Sequence, residues 1–255
     1  MLTIAHLSDP HLDLSEERRR RFAAVLREVA ALPRVDAILV SGDLADRGLA
    51  EEYESVFAEL PNDVPLLVCA GNHDLTEPLS AALRRIGASG SMSDLLTIGG
   101  LTVIALDSHV DGRDDGLLAP ETLSFARDAI ASASGPVVLM MHHPPVAIGH
   151  HIVDAQYGLA NPDDLAAVVR ESPAIIAIFT GHIHAAFTTT FAGVPVLGAP
   201  GIVSTMRLGS RVNPIADSDA LPGFALHTVD GAAIRTVFHT LSPRGLSQDG
   251  QSSSR

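Results

Sequence analysis

Two histidines one residue apart, in Gly181-His182-Ile183-His184, follow the apolar run Ala174 to Phe179. The run has strand length and is bounded by Pro173 and Gly181, so the pair sits where a buried strand ends. Imidazole is the commonest metal-ligating side chain at neutral pH. Four more segments end in the same way: Ser8-Asp9-Pro10-His11, Gly42-Asp43-Leu44-Ala45-Asp46, Gly71-Asn72-His73-Asp74 and His142-His143-Pro144-Pro145. Each follows a run rich in Val, Ile, Leu and Ala: Leu2 to Leu7, Ala37 to Val40, Leu66 to Ala70 and Val137 to Met141. Oxygen and imidazole donors without a thiolate suit a hard or borderline divalent cation.

The elements that must hold these residues are legible from period and punctuation. Ser15 is an N-cap candidate, with Glu16 and Glu17 in the first turn of a helix running to about Ala31. Phe22, Val25, Leu26 and Val29 share its apolar face. The Arg18 to Arg21 run reads as a partly solvated face rather than a phosphate site. Helices are also expected over Leu49 to Leu60, Glu77 to Ile86, from Pro120, and near Pro162 to Arg170. Gly99-Gly100 marks a hairpin. After His184 the alternation gives way to two hairpins, turning at Ala192-Gly193 and Asp230-Gly231. Gly198 to Gly223 reads as a long irregular surface segment. Strands alternating with helices, then hairpins, give an α/β chain with its site at the carboxyl ends of the strands. One domain over 1–240 and a disordered tail over 241–255 are expected.

Composition narrows the function. The formal net charge of −13 disfavours nucleic acid or an anionic membrane as partner. No apolar run reaches the roughly 18 to 20 residues of a membrane span. Met1 leads straight into a strand, and a cytoplasmic enzyme fits the whole. Cys69, the single cysteine, lies in an apolar run and reads as a core thiol. His6 reads as packed. His150 and His151 read as surface residues, His227 and His239 as lying away from the ligand pattern. Tyr157 is a stacking candidate for a nucleobase.

The ordered set Asp-x-His, Gly-Asp-x-x-Asp, Gly-Asn-His-Asp, His-His-Pro-Pro and Gly-His-x-His resembles the calcineurin-like metallophosphoesterase superfamily over residues 1 to about 240. Within it, the chain is similar to bacterial class III 3′,5′-cyclic-nucleotide phosphodiesterases and the related glycerophosphodiesterases. The resemblance implies a four-layer αββα sandwich of two mixed β-sheets flanked by helices, with a two-metal centre. It gives the first ion Asp9, His11 and His184, the second Asn72, His142 and His182, and makes Asp43 the bridge. It makes His73 the catalytic residue facing the substrate. Asp46, Asp74 and His143 are expected behind the ligands, Asp46 and Asp74 orienting histidines. Four neutral imidazoles and two carboxylates would leave two divalent ions with a net charge of about +2, suited to a hydroxide and a phosphodiester anion. Mn and Fe are the leading metals, with Zn and Co also allowed. The expected reaction is hydrolysis of small phosphodiesters, cyclic AMP foremost, by attack of a metal-bridging hydroxide. A glycerophosphodiesterase, a phosphomonoesterase or nucleotide pyrophosphatase with the same site, and a metal-stabilised binding scaffold are the alternatives. A homodimer is compatible with all of them.

Overall fold

A computed structural model describes residues 1–207 and 215–247. Its strands and helices follow the apolar runs closely: β1 (Leu2–Leu7), α1 (Glu16–Ala30), β2 (Ala37–Ser41), α2 (Ala50–Glu59), β3 (Leu66–Cys69), α3 (Thr76–Arg85), β4 (Asp94–Ile98), β5 (Leu101–Ala105), α4 (Pro120–Ser132) and β6 (Val137–Met141). There follow α5 (His151–Gln156), α6 (Pro162–Glu171), β7 (Ile175–Thr180), β8 (Phe187–Phe191), β9 (Val194–Gly198), β10 (Thr205–Met206), β11 (Ala216–Asp217), β12 (Gly223–Asp230), β13 (Ala233–Thr240) and α7 (Pro243–Ser247).

Two large sheets form, in the orders β13-β12-β1-β2-β3 and β4-β5-β6-β7-β9-β8. Both are mixed: β1, β2 and β3 are parallel, as are β5, β6, β7 and β9, while the hairpins add antiparallel edges. The two-residue period of a strand explains the layering. On β1 and β2, Ala5, Leu7, Ile38 and Val40 pack against Phe22 and Val25 of α1 and Tyr53 of α2. Their alternates Ile4 and Leu39 face Val103, Val138, Ala177 and Phe179 of the other sheet. The second sheet's outer face, with Ile104, Leu139 and Ile178, meets Ala126 of α4 and Leu165 and Val168 of α6. Three apolar layers therefore separate four layers of structure, the expected αββα sandwich. Among the described residues no helix is long and apolar enough to cross a membrane.

The two late hairpins form as expected, and each joins a large sheet: β9 pairs parallel to β7, and β12 pairs antiparallel to β1. Several expectations are corrected. The Gly198 to Gly223 segment is not a surface excursion, since Ala199, Ile202 and Met206 are buried. Its Ile202 and Val203 N–H groups donate to the Ser8 and Asp9 carbonyls at 3.1 Å each. Residues 208–214 of it lie outside the described residues. The Arg18 to Arg21 run is partly solvated as expected, with Arg19 and Arg20 exposed, but Arg21 is buried, donating to the Ile202 carbonyl at 2.9 Å and the Ala220 carbonyl at 2.6 Å, which ties α1 to that segment. The chain continues past 240 with buried Leu241 and with α7 against α1. The rest of the expected tail, 248–255, lies outside the described residues.

Candidate metal centre

The five motifs emerge from β1, β2, β3, β6 and β7 at one end of the sandwich. Backbone bonds knit their loops before any side chain is considered. Asp9, His11 and Leu12 N–H donate to the Gly42, Asp43 and Leu44 carbonyls at 3.2, 2.9 and 3.0 Å, and Gly181 N–H donates to the His142 carbonyl at 3.1 Å. Five of the residues read as ligands have left-handed backbone: Asp9 (φ 54°), His11 (44°), Asp43 (51°), His182 (69°) and His184 (54°). Non-glycine residues avoid this region, so each costs about 1 kcal/mol or more and persists only where its surroundings demand it. Close approach fixes two glycines. A Cβ on Gly42 (φ +93°) would lie 2.4 Å from His142 Nδ1, and one on Gly181 would lie 2.1 Å from Ser8 Oγ.

The side chains converge. His11 Nε2 lies 3.2 Å from Asp43 Oδ2 and 3.2 Å from His184 Nε2, which is 3.3 Å from Asp9 Oδ1. His142 Nε2 lies 3.4 Å from Asp43 Oδ2, 3.1 Å from Asn72 Oδ1 and 3.1 Å from His182 Nδ1. Asp43 Oδ2 is thus common to two groups. Neighbouring donors around a cation at about 2.0–2.2 Å sit about 3.0–3.5 Å apart, so these contacts have the length of coordination edges.

Hydrogen bonds behind the rings aim the donors. His142 Nδ1–H donates to the Ser41 carbonyl at 2.7 Å and His182 Nε2–H to the Tyr157 carbonyl at 2.8 Å. A carbonyl accepts only, so both neutral rings keep their lone pairs on His142 Nε2 and His182 Nδ1. Without metal a proton on His142 Nε2 bridges to His182 Nδ1, and a cation would take the place of that proton between the two nitrogens. His11 Nδ1 is 3.4 Å from Asp46 Oδ1, and His184 Nδ1 is 2.7 Å from Ser204 Oγ. Nitrogen and oxygen donors held by such outer partners fit two cations.

Electrostatics agrees. Burial pushes His11 and His142 down, but the Asp43 carboxylate outweighs it and holds them at about 10 and about 9. Burial would push Asp9 up, but His184 and His142 hold it at about 2. Burial, reinforced by repulsion from His142, takes His182 to about 3. The site attracts positive charge and holds it on protons.

The residues expected behind the ligands divide. Asp46 reaches His11 and pairs with Arg18. Asp74 orients no histidine. Its buried carboxylate accepts from Leu44, Ala45 and Gly71 N–H at 3.2, 3.1 and 2.8 Å, clasping the Asp43 loop, while burial and nearby Asp43 push its pKa up. His143 Nδ1 lies 2.9 Å from Ser108 Oγ, and its buried Nε2 has no hydrogen-bond partner among the described residues. His73 is exposed. Its N–H donates to Asp43 Oδ1 at 2.9 Å and its Nδ1–H to the Asp46 carbonyl at 2.8 Å, leaving Nε2 to exchange a proton. His150, read as a surface residue, is buried at the N-terminus of α5, a helix the sequence did not announce. Ser204 went unnoticed because a lone serine in an irregular stretch carries no signal.

Beside the cluster lies a cleft of about 200 Å³. Its polar wall is His11, Asp43, Asn72, His73, His182 and His184, and its apolar wall Val153, Tyr157, Ile183, Met206 and Ile215.

Residues 2–186 match the family of calcineurin-like phosphoesterases, and the chain belongs to that family. It is a metal-dependent phosphoester hydrolase of a dinuclear class. The 3′,5′-cyclic adenosine monophosphate phosphodiesterase CpdA of Pseudomonas aeruginosa is 32% identical over 218 residues, covering 81% of this chain and 78% of its own length. A probable glycerophosphodiester phosphodiesterase, GpdQ of Arcobacter nitrofigilis, is 31% identical over 191 residues, covering 72% and 70%. Among solved structures, a dimetal phosphatase from Danio rerio superposes with a TM-score of 0.68 at 15% identity, over 94% of this chain and 99% of that one, a likeness of fold.

Proposed function

We propose that this chain hydrolyses small phosphodiesters, with 3′,5′-cyclic nucleotides, cyclic AMP among them, as the leading substrates. The observation that carries the reading is the pair of donor groups sharing Asp43, converging at coordination-edge distances beside a small cleft. Asp9, His11 and His184 with Asp43 would hold one ion, and Asn72, His142 and His182 with Asp43 the other. Mn and Fe lead for this donor set, and Zn and Co are also accommodated. When bound, such ions polarise phosphoryl oxygens and offset the negative charge that builds on them.

The chain's own groups do the rest. In its protonated form His73 offers Nε2–H to the ester oxygen that leaves phosphorus, since Nδ1–H is committed to the Asp46 carbonyl. The apolar wall of Val153, Tyr157, Ile183, Met206 and Ile215 takes the organic part of the ester and keeps water from it. Few aromatics are available to grip a base, so weak discrimination between adenine and guanine is expected. CpdA supports the cyclic-nucleotide reading, and GpdQ favours glycerophosphodiesters as the second one.

The test is a side-by-side panel on Mn-loaded protein: cyclic AMP, cyclic GMP, glycerophosphodiesters, bis-nitrophenyl phosphate and nitrophenyl phosphate. Cyclic AMP turnover above that of the monoester supports the proposal. Good monoester turnover with cyclic AMP and the model diester untouched overturns it.

A further inference from the structure

Behind Asp9 a line of buried polar side chains starts at Ser8 and crosses the first sheet. Ser8 Oγ lies 2.5 Å from Asp9 Oδ2, Ser41 Oγ 2.9 Å from Ser8 Oγ, and His6 Nε2 2.8 Å from Ser41 Oγ. His6 Nδ1 is then 3.1 Å from His227 Nε2, and His227 Nδ1 is 2.8 Å from Thr236 Oγ1. Ser8, Ser41, His6 and His227 are all 0% exposed. Thr236, at the far end on β13, is half-buried. The His227 ring stacks on Phe179 of the opposite sheet, centroids 3.9 Å apart, so the line runs through the interface between the sheets.

The inventory of donors fixes the direction of every hydrogen. Asp9 holds a negative charge and only accepts, so the Ser8 hydrogen points at Asp9. A hydroxyl has one hydrogen, so Ser41 donates to Ser8. The other acceptor near Ser41, the Leu7 carbonyl, is farther away at 3.4 Å, and in neither case has Ser41 a hydrogen left for His6. His6 must therefore carry its proton on Nε2 and donate it to Ser41. Neutral His6 accepts at Nδ1, so His227 Nε2–H donates to it, and His227 Nδ1 accepts from the Thr236 hydroxyl. Charging either of two adjacent, fully buried imidazoles would be costly, and burial takes both well below the ordinary histidine range.

We propose that His6 and His227 are positioning residues for Asp9. The one-way line from Thr236 to Ser8 occupies Asp9 Oδ2, so that Oδ1 alone is presented to the first cation. Oδ1 is the oxygen 3.3 Å from His184 Nε2, and it accepts from His182 N–H at 3.2 Å. The proposal rests on Asp9 being a ligand, as above. It gives two histidines outside the ligand set a share in metal affinity, and it requires one tautomer in each ring, which packing alone would not.

Nitrogen NMR of histidine-labelled, Zn²⁺-loaded protein reads the tautomers directly. Both rings are expected to be neutral with the proton on Nε2. A proton on Nδ1 of either, or an imidazolium, overturns the proposal without any variant having to fold. Chelator-competition titrations with Zn²⁺ supply the second readout. His227→Leu is expected to weaken one of two ions about tenfold, the lower range for outer partners of metal ligands. His227→Gln, whose amide N–H can still reach His6, should restore most of that loss. No loss in His227→Leu, or equal losses in both variants, overturns the positioning role. Asp9→Ala separates the two readings: if it keeps two tight ions, the ligand assignment fails, whereas an ion lost in Asp9→Ala alone refutes only the line behind it.

Discussion

Asp74→Ala should unfold the protein's functional end more readily than loss of any single ligand. Its carboxylate is the shared acceptor for three N–H donors, Leu44, Ala45 and Gly71, on the two loops that carry Asp43 and Asn72. Removing the acceptor for a buried N–H costs about 1–3 kcal/mol per group. The burial of Asp74 and its repulsion from Asp43 return part of that, as its upward pKa shows. A net loss of about 3–5 kcal/mol follows, a large part of the roughly 5–15 kcal/mol typical of a folded protein. For a chain of this size that corresponds to a melting temperature lower by about 6–20 °C. Asp74→Asn keeps one acceptor oxygen but sets an NH₂ against an N–H, so about half the loss is expected. The assay is urea unfolding of metal-free protein, followed by midpoint and slope, so that lost metal binding does not contribute. Unfolding free energies within about 0.5 kcal/mol of the parent for both variants, the range of an ordinary surface change, would refute the clasp.

Further outcomes are expected for the metal-facing residues and for pH. Asp43→Ala should lose both ions and all turnover, while Asn72→Ala should loosen mainly the second ion; elemental analysis decides both. His73→Ala should keep its metals yet lose roughly 10²-fold or more in turnover, with nitrophenolate esters affected less because they need no protonation. Equal losses for good and poor leaving groups would point instead to stabilisation of phosphoryl oxygens. Ser204→Ala should weaken the first ion by about 10–100-fold through lost orientation of His184. With His11 at about 10 and His142 at about 9, both carry protons at neutral pH that metal must displace. Apparent affinity should therefore rise about tenfold per pH unit for each ion, levelling off above about pH 10 for the first and about pH 9 for the second. Calorimetry at pH 7 in buffers of different ionisation heat should count about two protons released, and none would refute this.

The parts of this molecule that were legible in its sequence are those written in local pattern. Leu2 to Leu7 reads as a strand because it is a short apolar run, and α1 because Phe22, Val25, Leu26 and Val29 recur at its period. Ser15 caps α1 as its type and place indicate, accepting from Arg18 N–H. The residues that converge at the candidate site were legible as a set because each motif closes a strand. What pattern could not convey is pairing at long range. Arg21 looked solvated in a run of four arginines, yet its partners are the Ile202 and Ala220 carbonyls. His227 looked remote from the site because nothing local links it to His6, 221 residues away. Asp74 resembled a histidine's partner, but the chain brings it to backbone N–H groups instead. The left-handed conformation of the ligands is equally silent, since Asp and His carry no glycine-like flag for it.

The place of β1 in its sheet bears on how the chain comes to be folded at all. On one side β1 pairs with β2, some thirty residues on; on the other it pairs with β12, so that Leu2 meets Val229 and His6 meets Ala225. During synthesis the first side closes early. The second stays an open edge until nearly the whole chain has left the ribosome. Leu-Thr-Ile-Ala-His-Leu has no lysine or proline to protect that edge, and such unpaired strands are templates for aggregation. Until β12 pairs with it, that edge of β1 is open to pairing with another chain. Cutting the gene after residue 186, where the family match ends, would leave β1 without β12 and give insoluble protein rather than a minimal domain.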